Sequence, residues 1–207
     1  DWERLGQRIY DNSKKVADLG DALTKGVTVP MTQVGTYCVD KAVDFDTAIA
    51  NLRKTSSLTA SQLEDLAQSA LELSKTQPVD AATILNIEAL GAQLGIADDN
   101  LESFARTCSG LDIATDMNAE QAGTEMARFA NIVGMTEDQF GNYGSTLVAI
   151  GNNMATTESE VSNMALKFAS AGRQAGLSSA DILGMSAAMS SLGIKSEMGG
   201  SALSQVF

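Results

Sequence analysis

Apolar residues recur at helical spacing along nearly the whole chain. Leu5, Ile9, Asn12, Val16, Leu19 and Leu23 alternate steps of four and three, the seam of a coiled coil in which the polar Asn12 can fix register or partner number. The same spacing fits an amphipathic helix packed on its own domain, and both readings stay open. Gly26-Val-Thr-Val-Pro30 breaks this helix, and Pro30 suits the first turn of the next. That second helix carries Val34, Cys38, Ala42, Phe45, Ile49 and Leu52 along one side, with Lys41, Arg53 and Lys54 on a solvated face. Farther on, Leu63, Leu66, Ala67, Ala70 and Leu73, then Ile84, Ile87 and Leu94, then Leu101, Phe104, Ala105 and Cys108 repeat the helical period as candidate core positions.

From Thr59 the apolar stripes are punctuated by helix starts. Thr59-Ala-Ser-Gln62, Asn118-Ala-Glu-Gln121, Thr136-Glu-Asp-Gln139, Thr157-Glu-Ser-Glu160 and Ser178-Ser-Ala-Asp181 each place a short oxygen-bearing side chain three residues ahead of an acid or amide. That is the spacing at which two side chains satisfy orphan N–H groups of a first turn. Gly134-Met135 and Gly176-Leu177 stand immediately before two of these starts, so one helix stops on a residue that accepts the left-handed conformation and the next begins at once. The starts at Thr59, Asp80, Asp98, Asn118, Thr136, Thr157 and Ser178 are 21, 18, 20, 18, 21 and 21 residues apart. Two steps make a period near forty, the length of a helix-pair repeat. The expectation is an all-α fold: an array of short antiparallel helices, either a helix-pair bundle or an irregular solenoid, led by an N-terminal amphipathic or coiled-coil helix. Residues 1–54 form the leading helices, and residues 55–207 a multi-helix domain cut off at its C-terminus.

Composition narrows what such an array can do. The formal charge is −12 with no basic stripe, which argues against direct nucleic-acid binding. The sequence has no histidine, so the commonest general base and metal ligand are both missing. The acidic pairs Asp98-Asp99, Glu137-Asp138 and Glu158/Glu160 fall at helix N-termini, where carboxylates complement the macrodipole without chemical duty. Glu158 or Glu160 beside Arg173 is the strongest candidate charge cluster. Cys38 and Cys108 stand alone and read as free thiols. Gly199-Gly200-Ser201 reads as a turn and Gly151-Asn-Asn153 as a loop, while the methionines from Met117 to Met198 read as core filler. Each glycine inside a helix costs about 1 kcal/mol relative to alanine, so helices so rich in glycine depend on packing. No apolar run is long enough to span a bilayer. No catalytic, cofactor-binding or metal-ligating residue is assigned, and no cofactor is expected.

From Ala42 onward the landmarks follow one another in a specific order. They are Ala42-Val-Asp-Phe45-Asp46, Leu58-Thr59, Leu63-Glu-Asp-Leu66, Leu94-Gly95-Ile96 and Asp116-Met-Asn118-Ala-Glu-Gln121-Ala122-Gly123. Ile132-Val-Gly134-Met135, Ala175-Gly176-Leu177-Ser178, Leu192-Gly193-Ile194 and Gly199-Gly200-Ser201-Ala202-Leu203 complete the series. In this order and spacing the chain resembles the N-terminal part of a phage or prophage tail tape measure protein. Gly144-Ser145 departs from the pattern, where similar proteins often show an acid.

The resemblance implies a non-enzymatic structural role: filling a growing tail, scaffolding the tube and setting its length. It implies as partners other copies of the chain itself and tail-tube, tail-tip and assembly-chaperone proteins, in a virion tail made in the bacterial host cytoplasm. Two other readings stay open at this point. One is a cytosolic helical-repeat adaptor that binds partner proteins; the other is an enzyme whose site is completed by further chain.

Overall fold

The structure is a computed structural model that describes residues 29–206, and among them are nine α-helices and no strand. The helices are α1 (Val29–Thr55), α2 (Ala60–Thr76), α3 (Ala81–Gln93), α4 (Leu101–Ala114), α5 (Ala119–Val133), α6 (Glu137–Asn153), α7 (Glu158–Gln174), α8 (Ser179–Ser191) and α9 (Ser196–Val206). The chain divides into two units, residues 1–44 and 45–207, and α1 runs through the division. In the first unit the described residues are the opening turns of α1, which starts at Val29 with Pro30 in its first turn. The candidate seam from Leu5 to Leu23 lies outside the described residues, as do the side chains of Val34 and Cys38. The second unit carries the array.

The helix starts take the chemistry that their spacing requires. Thr59 N donates to Gln62 Oε1 at 3.0 Å while Gln62 N donates to Thr59 Oγ1 at 3.3 Å, a closed capping box. Ser178 and Asp181 repeat it, and Asp80 and Asn118 accept from the N–H three residues on. Four helix stops use glycine at positive φ: Gly95 (90°), Gly134 (73°), Gly176 (83°) and Gly193 (76°). In each case the apolar residue that follows donates its N–H to a carbonyl five residues back, as Met135 does to Ala130 O at 2.9 Å.

Three expectations are corrected. Asp98 caps no helix: it opens a 3₁₀ turn over Asp98–Asn100, and α4 begins only at Leu101. Gly151–Asn153 is the last turn of α6, with the Glu158 carboxylate lying over Gly151 in place of a side chain. Gly199 and Gly200 are no turn; they sit buried in α9, where a Cβ would meet Met164 Sδ at 2.8 Å and Lys167 Cβ at 2.6 Å. Without side chains there, the backbone of α9 lies directly against the Met164 and Lys167 side chains of α7, as small residues allow.

From α2 onward, each helix packs on the one two places later in the chain, and with the exception of α5 and α6 on the next one as well. Among the described residues, no helix pair in substantial contact is farther apart in order than that. Side chains tie the same interval: Asp98 Oδ2 accepts from Ser57 N, Asn131 Nδ2 donates to Leu94 O, Asp116 Oδ1 accepts from Ser159 N, and Ser204 Oγ donates to Lys167 O. These bonds span 41, 37, 43 and 37 residues. The capping rhythm of about twenty therefore becomes a structural unit near forty, and the array is quasi-one-dimensional.

The core runs along the array as one strip. Phe104, Phe129, Phe140 and Phe168 are fully buried, each contributing about 1.5–3 kcal/mol of apolar transfer. Phe104 meets Phe140 edge to face at 5.8 Å between ring centres, and Phe129 meets Tyr143 at 5.3 Å. Met117, Met126 and Met164 are core filler as expected, whereas Met154 is 39% and Met198 65% exposed.

Candidate functional site

The acids at the helix starts act as fasteners. Besides reaching Ser159 N at 3.0 Å, Asp116 accepts from Ser159 Oγ at 2.5 Å, joining the start of α5 to the start of α7. Partial burial works to raise the Asp116 pKa, and the hydrogen bonds from Ser159 and Thr157 outweigh it and hold it below the usual value. Asp138 Oδ1 accepts from Thr136 Oγ1 at 2.5 Å, and Glu160 Oε2 accepts from Ser190 Oγ at 3.2 Å. Arg173 does not join Glu158 or Glu160: it lies in the last turn of α7 and they lie in the first, about 20 Å apart along the helix. The candidate cluster is therefore not assembled. Among the described residues, no three His, Cys, Asp or Glu side chains group to hold a metal ion, and no helix is long and apolar enough to cross a membrane.

The chemically unusual groups are buried. Glu88 is fully buried in α3, and neither carboxylate oxygen has a hydrogen-bond partner. Desolvation, helped by the like charge of Glu102, raises its pKa to about 8, so it is mostly protonated near neutrality. Ser109 Oγ and Glu125 Oε2 are also buried without partners. Tyr143 Oη and Ser162 Oγ share a buried hydrogen bond of 3.0 Å. Burial pushes the Cys108 thiol and the Tyr143 hydroxyl well up, which makes Cys108 a poor nucleophile. Pattern reading passed over Glu88, yet a signal was present: it is the only charge between Ala81 and Ala97.

What the array offers outward is grooves. One of about 500 Å³ lies among α1, α3 and α5, with Ile87 and Ala89 in its lining and Asn51, Thr83, Asn86 and Gln93 as its polar groups. Asn51 Nδ2 donates to Asn86 Oδ1 across it at 3.5 Å, and Lys54 and Glu120 place opposite charges along it. Amides and hydroxyls around apolar positions fit a peptide or helix surface, the manner in which repeat arrays bind partners. A second groove, of about 530 Å³, separates α4 from α6. Pattern reading located the stripes that build these grooves but not the grooves themselves, because a groove depends on which helix lies two places away.

In comparison with known proteins, the family described as phage-related minor tail protein matches residues 67–207. The match begins inside α2 and takes in α3 through α9. No curated protein and no solved structure matches the chain.

Proposed function

The chain belongs to the phage-related minor tail protein family, and on that premise we propose that it is a tape measure, a structural scaffold on which the tail tube assembles to a set length. A structural place in the virion tail, among other tail components, follows from the family. The finer role is supported by one observation above the rest: among the described residues the helix pairs in substantial contact from α2 onward are near neighbours in chain order, in units near forty residues. Such an array can be lengthened or shortened by whole units, which suits a component whose size must match an assembly. It also presents successive grooves rather than one enclosed pocket, which suits contact with other tail proteins and with copies of itself.

On this reading length is counted in the leading part of the chain, within residues 1–54, while residues 55–207 form a folded module that directs assembly. The test is a null allele complemented by the wild-type gene. The expected outcome is loss of tubes of uniform length, restored on complementation; normal tails of normal length from the null allele would reject the reading.

A further inference from the structure

A polar groove of about 350 Å³ lies between α5 and α7, and Glu125 lines it from α5. Its walls are fixed to each other, because Asp116 bonds Ser159 N and Oγ where the two helices begin. Glu125 is 8% exposed. Its Oε1 accepts from Gln121 Nε2 at 3.1 Å, while Oε2 is buried and has no hydrogen-bond partner. Buried polar atoms are satisfied in the great majority of native sites, so an acceptor left open on a groove-lining side chain marks a place for a donor. A turn of the carboxylate about its last torsion, which is broad and two-fold in glutamate, presents either oxygen to the groove. Glu88 and Ser109 also lack partners, but neither is in this lining.

The lining selects the donor. Two carboxylates, Glu120 and Glu125, face one cation, Arg128, so the groove favours positive charge. Among the described residues no three His, Cys, Asp or Glu group together, and two carboxylates apart from any such group do not make a metal cage. With Oε1 held by Gln121, Glu125 cannot offer the two parallel oxygens that a guanidinium fork takes. One carboxylate oxygen, with the Gln121 carbonyl beside it and the Asn163 amide on the opposite wall, matches the three separate donors of an ammonium. Leu166 in the same lining can cover an aliphatic stem. Arg128 is exposed and calls for an acceptor, which a lysine within a peptide supplies through its own carbonyl and a simple amine does not.

We propose that the α5–α7 groove is a recognition site for the side-chain ammonium of a lysine carried by another protein, with Glu125 as its buried acceptor. The argument stands on the groove and needs no particular role in the tail. NMR titration of the isotope-labelled full chain with acetyl-Gly-Lys-Gly-amide tests it. Saturable shifts are expected at the Gln121 side-chain amide and at backbone amides of residues 118–128. Norleucine in place of the lysine should weaken binding by about tenfold or more, arginine by about threefold, and butylamine should bind about tenfold more weakly than the lysine peptide. Glu125→Gln keeps the shape and should cost about tenfold. Asn163→Lys supplies an ammonium from α7 itself and should abolish binding with helical circular dichroism unchanged, a test that stands even where the first variant does not fold. A lysine peptide that produces no saturable shift, or that binds no better than the norleucine peptide, overturns the proposal. So does binding that folded Glu125→Gln and Asn163→Lys chains leave intact. Tighter binding of the arginine peptide overturns the choice of ammonium, and butylamine binding as tightly as the lysine peptide overturns the assignment to a protein-borne lysine.

Discussion

Replacing Glu88 with glutamine isolates the effect of one buried acid on the array. Its carboxyl lies between packed helices with no hydrogen-bond partner. The acid that acts on it, Glu102, has the same sign and keeps its own cation, Arg106, at the exposed edge. The folded-state pKa is raised from 4.5 to about 8, so over that interval the native chain holds a proton that the unfolded chain has lost. The contribution to stability is therefore fully present below the unfolded value, falls as pH rises through the interval, and levels off above the folded pKa. At 1.36 kcal/mol per unit of pKa shift, the loss from acid to alkaline conditions is about 3–5 kcal/mol, a large part of the stability of a domain this size.

Urea unfolding of wild type and Glu88→Gln at about pH 5 and about pH 8.5 reads this directly. Glutamine cannot ionise, and the other titrating groups are common to both chains. The expected result is a wild-type stability that falls relative to the variant by about 3–5 kcal/mol between the two conditions. Parallel pH profiles would refute the reasoning, because they would mean that Glu88 carries no proton differing between the folded and unfolded states.

Glycines sort by what lies above them. Gly91→Ala and Gly172→Ala drive a Cβ to 2.8 Å from Phe104 Cδ1 and Ile182 Cγ1 and should cost about 1–3 kcal/mol, whereas Gly184→Ala has open space and should stabilise by about 0.5–1 kcal/mol; thermal melts of the three variants decide it. Asp116→Ala removes both bonds to Ser159 and should cost about 1 kcal/mol above the ordinary aspartate pKa and little once acid has protonated the wild-type group, as urea titrations at two pH values would read. Because contacts reach only two helices along the array, native-state hydrogen exchange should show protection graded by helix, and a single uniform protection level from α2 to α9 would contradict the near-neighbour packing.

The caps were legible because a capping box is local: Thr59 and Gln62, or Ser178 and Asp181, need only each other. Gly134 and Gly176 were legible for the same reason, since a left-handed stop followed by an apolar residue is written within a few positions, and Gly95 and Gly193 carry the same local signal, though pattern reading used them only as landmarks. Gly199 and Gly200 misled because their cause is tertiary: Met164 and Lys167 occupy the space that side chains would take. Asp98 misled likewise, having the form of a cap while its carboxylate is used by Ser57, 41 residues away. The period near forty was visible in the starts, but which side chains tie one unit to the next, and the burial of Glu88, required the packed array.

The length of assembled tails tests the tape measure account most directly. A continuous helix rises about 1.5 Å per residue, so deleting fourteen residues from the first coil, within residues 1–25, should shorten tails by about 21 Å if that coil is extended in the tail. Deleting the helix pair from Thr136 to Ala175 should impair assembly without proportional shortening. Electron micrographs of particles from both alleles supply the comparison. Infectious particles from the second deletion shortened by about 60 Å, the full helical rise of forty residues, would contradict the assignment of the ruler to the leading helices and of assembly to the folded array.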